Sequence, residues 1–302
     1  MTFTLYDDAR LGLARDSLTG LSVADALGAQ YFVPGIPRDA APPDPVWEWT
    51  DDSEMACSIF AMLAARGTID RDELAMSFAR RCEPYRGYGP GAVTILRLIR
   101  SGTPWPIAAS TAFDGQGSCG NGAAMRVAPL GAYFADSTAH AAAEAVAASE
   151  VTHAHPEGIA GAVAVAVAAS LAAKARLSGH RPAPPELLEV VAGVLEAGGR
   201  VRRGLERALG LLGRPPTEAA YELGNGSAAT AQDTVPFTLW AAATFLDDYP
   251  AAVRACVAAG GDMDTTAAIV GGIVAAHTGV GADGGVPREW IAAREPLPAW
   301  VR

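Results

Sequence analysis

Apolar residues recur at three- and four-residue spacing through most of this chain. From Arg10 the pattern passes through Leu13, Leu18, Leu21 and Leu27 and stops at Gly28, which predicts a first helix over about 10–28. The same reading predicts helices at about 51–66, 70–81, 91–101, 123–135, 138–151, 157–177, 185–198, 200–212, 236–246, 250–259 and 264–278. Breaks fall at Pro/Gly segments such as Ser178-Gly179-His180-Arg181-Pro182 and Gly281-Ala282-Asp283-Gly284-Gly285. Residues 33–48 carry Pro34, Pro37, Pro42, Pro43 and Pro45, too many for a helix or a central strand, so this stretch is expected to cross the surface before reaching Trp47 and Trp49. No segment alternates with period two for long, and no solenoid repeat is present. The expected fold is all-α, an orthogonal bundle of helices.

Composition narrows the picture. Hydrophobic residues make up 50% of the 302, with Ala, Val and Leu dominant, which suits close-packed helices and an ample core. Length alone suggests about two domains, but two related acidic clusters near opposite ends favour a single domain over 1–302. The apolar run Ile159 to Ala173 is shorter than the ~20 residues that span a bilayer, and it is expected to be a core helix. The formal charge of -10 argues against nucleic acid or an anionic membrane as the main partner. Cys57, Cys82, Cys119 and Cys256 show no CxxC spacing, and the start Met1-Thr2-Phe3 lacks a basic then apolar leader. A monomer in a reducing cytoplasm is expected.

The acidic clusters are Thr50-Asp51-Asp52-Ser53 and Asp262-Met263-Asp264-Thr265-Thr266, each opening into a predicted helix. Asp, Ser and Thr are also helix caps, typically worth about 1 kcal/mol, and Asp51 with Glu54 three positions on could form a capping box. One cap explains one residue and not its neighbouring carboxylate. Adjacent carboxylates repel by about 3 kcal/mol at ~6 Å with an effective dielectric near 20. A hard divalent cation favours such an oxygen-rich set. For both clusters together, metal binding is the better reading, on condition that they meet in the fold.

Phe113-Asp114-Gly115-Gln116-Gly117-Ser118-Cys119-Gly120-Asn121-Gly122 places four glycines in ten residues ahead of the predicted helix at Ala123. Backbone N–H groups in such a loop can approach an anion closely, and a helix N-terminus behind it adds positive potential. On glycine content alone, a phosphate cradle and a plain helix-entry turn are equally good readings. Thr152-His153-Ala154-His155-Pro156-Glu157 offers two imidazoles without the further ligands zinc needs, so substrate contact or helix capping is expected there. Cys119 has no dedicated base beside it and reads as a packing residue rather than a nucleophile.

Taken in order, these stretches resemble the ADP-ribosylglycohydrolase family. Ala24-Asp25-Ala26-Leu27-Gly28 is similar to the family's Gly-Asp-Ala-Leu-Gly, and Trp49-Thr50-Asp51-Asp52-Ser53 to its Thr-Asp-Asp-Thr. Gly117 to Arg126 is similar to its Gly-Asn-Gly loop, and Thr152-His153 and Gly260-Gly261-Asp262-Met263-Asp264-Thr265 complete the series. The resemblance implies an all-α fold with two magnesium ions, sometimes manganese, held by Thr50, Asp51, Asp52, Asp262, Asp264 and Thr265. It also implies that Gly117, Ser118, Cys119, Gly120, Asn121 and Gly122 hold a diphosphate, that Phe113 stacks on adenine and that His153 lies against ADP-ribose. Phe32 stands where several relatives carry a metal-binding glutamate, Ala24 replaces a glycine, Ser53 a threonine, and Cys119 a tyrosine found in some members. The implied activity is hydrolysis of the bond between C1″ of ADP-ribose and an acceptor, with Asp51 or Asp52 assisting proton transfer. A non-catalytic ADP-ribose-binding relative and a two-metal phosphohydrolase of a nucleotide diphosphate are the alternatives.

Overall fold

Asp7 and Asp8 place two carboxylates at the positive end of the first helix, α1 (Asp7–Gln30), in the computed structural model, which describes residues 5–301. There follow α2 (Asp51–Arg66), α3 (Arg71–Arg81), α4 (Pro90–Arg100), α5 (Trp105–Ser110), α6 (Ala128–Tyr133), α7 (Thr138–Glu150) and α8 (Pro156–Ser178). The second half contributes α9 (Pro184–Gly193), α10 (Arg200–Leu209), α11 (Pro216–Leu223), α12 (Ala231–Thr244), α13 (Tyr249–Ala259), α14 (Met263–Thr278) and α15 (Arg288–Ala293). Among the described residues there are isolated bridges but no strand, so the fold is all-α as the periodicity predicts.

The centre of the molecule is the packing of α1 on α14. Both helices use small residues to approach closely: a methyl group added at Gly271 would lie 2.5 Å from Ala24 Cβ and 2.7 Å from the Gly20 carbonyl oxygen. Gly28 does the same about two turns beyond Gly20, where an added methyl would meet the Met263 carbonyl oxygen at 2.5 Å. The chain-distant segments bearing Asp25 and Asp264 are thereby brought together. Helix α8, apolar around its whole circumference, packs against α6, α7, α12 and α14 as a core helix. It is long and apolar enough to cross a membrane, yet 78% of that stretch is buried inside the protein. Each fully buried Leu or Val here contributes roughly 1.5–3 kcal/mol of transfer free energy.

Several predicted boundaries need correction. The expected helix at 123–135 is instead a 3₁₀ turn at Asn121–Ala123 followed, after an irregular stretch, by α6. The Asn121 carbonyl accepts from the N–H groups of both Ala124 and Met125, which tightens the chain, and Pro129 suits only the first turn of a new helix. The glycine loop therefore does not open into a long helix, and the helix-dipole contribution expected there is absent. Helix α9 ends at Gly193, short of 198, and α12 begins at Ala231, ahead of 236, running through Pro236. Helices α5, α11 and α15, of 6, 8 and 6 residues, escaped prediction because so short a stretch shows barely two turns of periodicity.

The proline-rich segment is anchored at its far end. The Trp47 N–H donates to the Ala293 carbonyl and the Glu295 N–H to the Trp47 carbonyl, both at 2.8 Å. Arg86 lies 3.4 Å over the Trp49 ring, donates to the Trp49 carbonyl at 3.0 Å, and pairs with Glu295 at 2.7 Å. The C-terminal segment thus fixes the chain just before Thr50.

Candidate functional site

The starts of α2 and α14, the glycine loop, residues 152–155 and residues 228–230 surround one cavity of about 660 Å³. At one end lie the carboxylates. Asp25, on α1, is fully buried and accepts from the Thr50 N–H at 3.0 Å, Thr50 Oγ1 at 2.7 Å and the Ser53 N–H at 3.1 Å. Ser53 Oγ also donates to Asp25. Carboxylate oxygens of Asp25, Asp52 and Asp264 lie within 4.8 Å of one another. Thr265 Oγ1 is 3.4 Å from Asp52 Oδ2, and Asp51 and Asp262 line the same cavity. The two clusters meet.

Capping accounts for little of this arrangement. Thr50, not Asp51, caps α2, through a 3.4 Å contact from the Asp52 N–H. Glu54 turns away to accept from the Tyr88 hydroxyl at 2.5 Å and the Glu83 N–H at 3.1 Å, so no capping box forms. Asp262 holds the N-cap position of α14 without a side-chain capping bond.

A divalent cation fits these residues. Asp52 Oδ1 is buried and accepts no hydrogen bond among the described residues, a costly state for a carboxylate oxygen that a cation would relieve. Burial, followed by the Asp25 and Asp264 charges, raises the Asp52 pKa well above the ordinary value. Burial and then Asp262 and Asp25 do the same for Asp264. Asp25 is also raised by burial, against the opposing effect of its hydrogen bonds. Asp51 is pushed up to about 8, by burial first and Asp25 second.

A pH dependence follows for protein stripped of cations by a chelator. These carboxyls hold protons more tightly folded than unfolded, so their contribution is most favourable below the unfolded value of 3.8 and declines as pH rises through about 8. The chelated protein is expected to melt at a lower temperature at pH 8 than at pH 5, with Mg²⁺ raising the midpoint most at pH 8. Scanning calorimetry reads both. A midpoint at pH 8 that neither Mg²⁺ nor Mn²⁺ moves contradicts the cation assignment.

The glycine loop forms the opposite wall. Within it the amides of Gly117, Gly120 and Asn121 are engaged by the Ala112 carbonyl, Ser118 Oγ and the Ala229 carbonyl. Among the described residues, those of Ser118 and Cys119 make no such bond. Gly117 has φ +74° and lies so close to the Ala154–His155 backbone that an added methyl would sit 2.7 Å from the His155 nitrogen. Phe113, also left-handed at φ 54°, is 57% exposed at the cavity edge. Cys119 is half-buried and lines the cavity.

Two placements were not legible beforehand. Asn121 turns its amide away from the loop, donating to Asp262 at 2.7 Å and Thr234 Oγ1 at 3.1 Å, which ties the loop to the second acidic cluster. Asp25 joins the carboxylate group although only its motif, an ionisable residue inside the apolar stretch Ala24 to Leu27, hinted at it. His153 is buried with its ring under Gly120 and Gly122. His155 caps α8, accepting from the Glu157 N–H at 3.1 Å. Phe32 is 48% exposed after α1 and is not among the cavity-lining residues.

Comparison with known proteins agrees with this geometry. Human ADP-ribosylhydrolase ARH3 is 29% identical over 275 residues, covering 80% of this chain and 73% of the human protein. An uncharacterized protein of Archaeoglobus fulgidus is 29% identical over 300 residues, covering 92% of this chain and 90% of its own. A solved structure described as an ADP-ribosylglycohydrolase-related protein complex superposes with a TM-score of 0.66 at 28% identity, over 95% of this chain and 94% of that one. The ADP-ribosylglycohydrolase model matches residues 7–302. Because that match runs over nearly the whole length of the chain, the chain belongs to the ADP-ribosylglycohydrolase family.

Proposed function

We propose that this protein hydrolyses the bond between C1″ of ADP-ribose and an acceptor atom, with two divalent cations, Mg²⁺ or Mn²⁺, at its acidic cluster. The observation that carries the reading is the convergence of Asp25, Asp52 and Asp264 at one end of a cavity whose other wall is the glycine loop. Such a cavity is large enough for a nucleotide-sized ligand. Thr50, Asp51, Asp52, Asp262, Asp264 and Thr265, with Asp25 added, are the oxygen donors available to the cations. Bound there, divalent cations supply positive charge against ribose oxygens and the developing charge of the transition state.

The residues of the chain supply the rest. Ser118 and Cys119 offer amides to the diphosphate, and Phe113 offers its exposed ring to adenine. Of the two aspartates assigned to catalysis, Asp52 is almost wholly buried against Asp25 and Asp264, which suits a ligand, whereas Asp51 is more accessible to the cavity. Asp51 is therefore the residue to take a proton from water as its oxygen bonds to C1″, and to return a proton to the departing acceptor atom. The four cysteines are all unpaired, which supports a reducing compartment.

The experiment is a screen of ADP-ribosylated arginine, serine and nucleobase acceptors with Mg²⁺ or Mn²⁺, reading the nucleotide product. Free ADP-ribose is expected. Release of AMP instead identifies a phosphohydrolase, and binding of ADP-ribose without turnover on any acceptor identifies a non-catalytic relative.

A further inference from the structure

Behind His153 runs a chain of buried polar groups that the proposed reaction leaves unexplained. Arg126 is fully buried and, among the described residues, has no carboxylate partner; its guanidinium lies 4.4 Å from the Phe78 ring centroid. Its Nη2 donates to the Ala148 carbonyl and to Thr152 Oγ1, both at 2.8 Å. Thr152 Oγ1 is in turn 2.8 Å from His153 Nδ1. On the far side of the ring, Nε2 lies 3.4 Å and 3.3 Å from where methyl groups on Gly120 and Gly122 would sit.

Donor accounting along this chain has one consistent solution. An arginine carries only donors, so Thr152 Oγ1 must be the acceptor in that contact. Thr152 is 1% exposed, and among the described residues the acceptor available to its own hydroxyl proton is His153 Nδ1. Were Nδ1 protonated, that buried hydroxyl proton would be left unpaired. The imidazole proton therefore belongs on Nε2, which makes no hydrogen bond among the described residues and faces the cavity.

We propose that Arg126 and Thr152 are positioning residues that fix His153 as a neutral imidazole with its proton on Nε2, a directed donor to an oxygen of a diphosphate ligand held in the glycine loop. The inference rests on the proposed function only for the identity of that ligand. It gives His153 the role of donor and excludes it as a proton acceptor toward substrate. Burial, and then the Arg126 charge, push the His153 pKa down to about 3, in keeping with a neutral ring.

The test is long-range ¹H–¹⁵N correlation of the ring nitrogens in ¹⁵N-histidine-labelled protein at pH 7, with titration by ADP-ribose. The wild type is expected to show His153 as the Nε2–H tautomer. Thr152→Val removes the hydroxyl at nearly constant shape; it is expected to lose that tautomer preference and to bind ADP-ribose roughly tenfold more weakly. Thr152→Ser is expected to restore both, and Mg²⁺ affinity should be unchanged in the three proteins. A wild-type Nδ1–H tautomer or imidazolium, or a folded Thr152→Val protein that keeps the tautomer and binds ADP-ribose normally, overturns the proposal. Wild-type protein with the Nε2–H tautomer that does not bind ADP-ribose overturns the diphosphate ligand, and with it the substrate reading, while supporting the positioning roles.

Discussion

Asp264→Ala is expected to lower ADP-ribose release by more than about 100-fold, because loss of a direct ligand exceeds the 10–100-fold cost typical of its outer-shell partners. Cation binding, followed by calorimetry with Mg²⁺ or Mn²⁺, should be lost with it. The fold should remain. Removing this carboxylate forfeits the 2.8 Å hydrogen bond from the Thr265 N–H, at the start of α14, worth about 1 kcal/mol. It also removes like-charge repulsion with Asp25 and Asp52, whose carboxylate oxygens lie within 4.8 Å of its own, on the order of 3 kcal/mol for a charged pair at that spacing with an effective dielectric near 20. Relief outweighs loss, so in chelator at pH 8 the variant should melt no lower than the wild type. Asp264→Asn, which retains the shape and hydrogen-bonding capacity, should show the same loss of cation binding. A folded variant with unchanged Mg²⁺ affinity would remove Asp264 from the site.

Gly120→Val should separate the two halves of the cavity. Gly120 sits at φ -61° and ψ 164°, extended backbone that valine adopts readily, so the variant should fold. Its Cβ would come 3.1 Å from Ser118 Oγ and 3.4 Å from His153 Nε2, and the branched methyls would project where a diphosphate approaches. A clash of about 3 kcal/mol with the ligand corresponds to roughly 100-fold weaker ADP-ribose binding. Mg²⁺ affinity should stay within experimental error, because the carboxylates do not touch Gly120. Gly117 would be the poorer probe: its φ of +74° adds backbone strain to any substitution and mixes folding with binding. Titrations in which both ligands weaken equally, or in which ADP-ribose is unaffected, would make the loop a structural turn.

Local physical chemistry carried much of this in the chain itself. The long helices α1, α2, α8 and α14 are legible because several turns of apolar spacing accumulate before a glycine or proline stops them. The two Thr/Asp clusters are legible because their repeated carboxylates exceed what capping requires, and the glycine loop because its composition is rare. The family motifs followed in order, so the fold was legible with them.

What the sequence could not contain was the set of distances set by close packing far along the chain. Asp25 becomes part of the acidic group only because Gly20, Gly28 and Gly271 let α1 and α14 approach until their backbones touch. Asn121, which the motif assigns to substrate, gives its side chain to Asp262, 141 positions away, because the loop folds back across residues 229–230. The expected helix after the loop gives way to a 3₁₀ turn that buries Arg126 beneath His153, a placement no periodicity encodes. Helix propensity and cluster chemistry act over a few residues and can be read along the chain. Which carboxylates share a cation site, and which nitrogen of a histidine carries its proton, depend on neighbours that only the tertiary fold supplies.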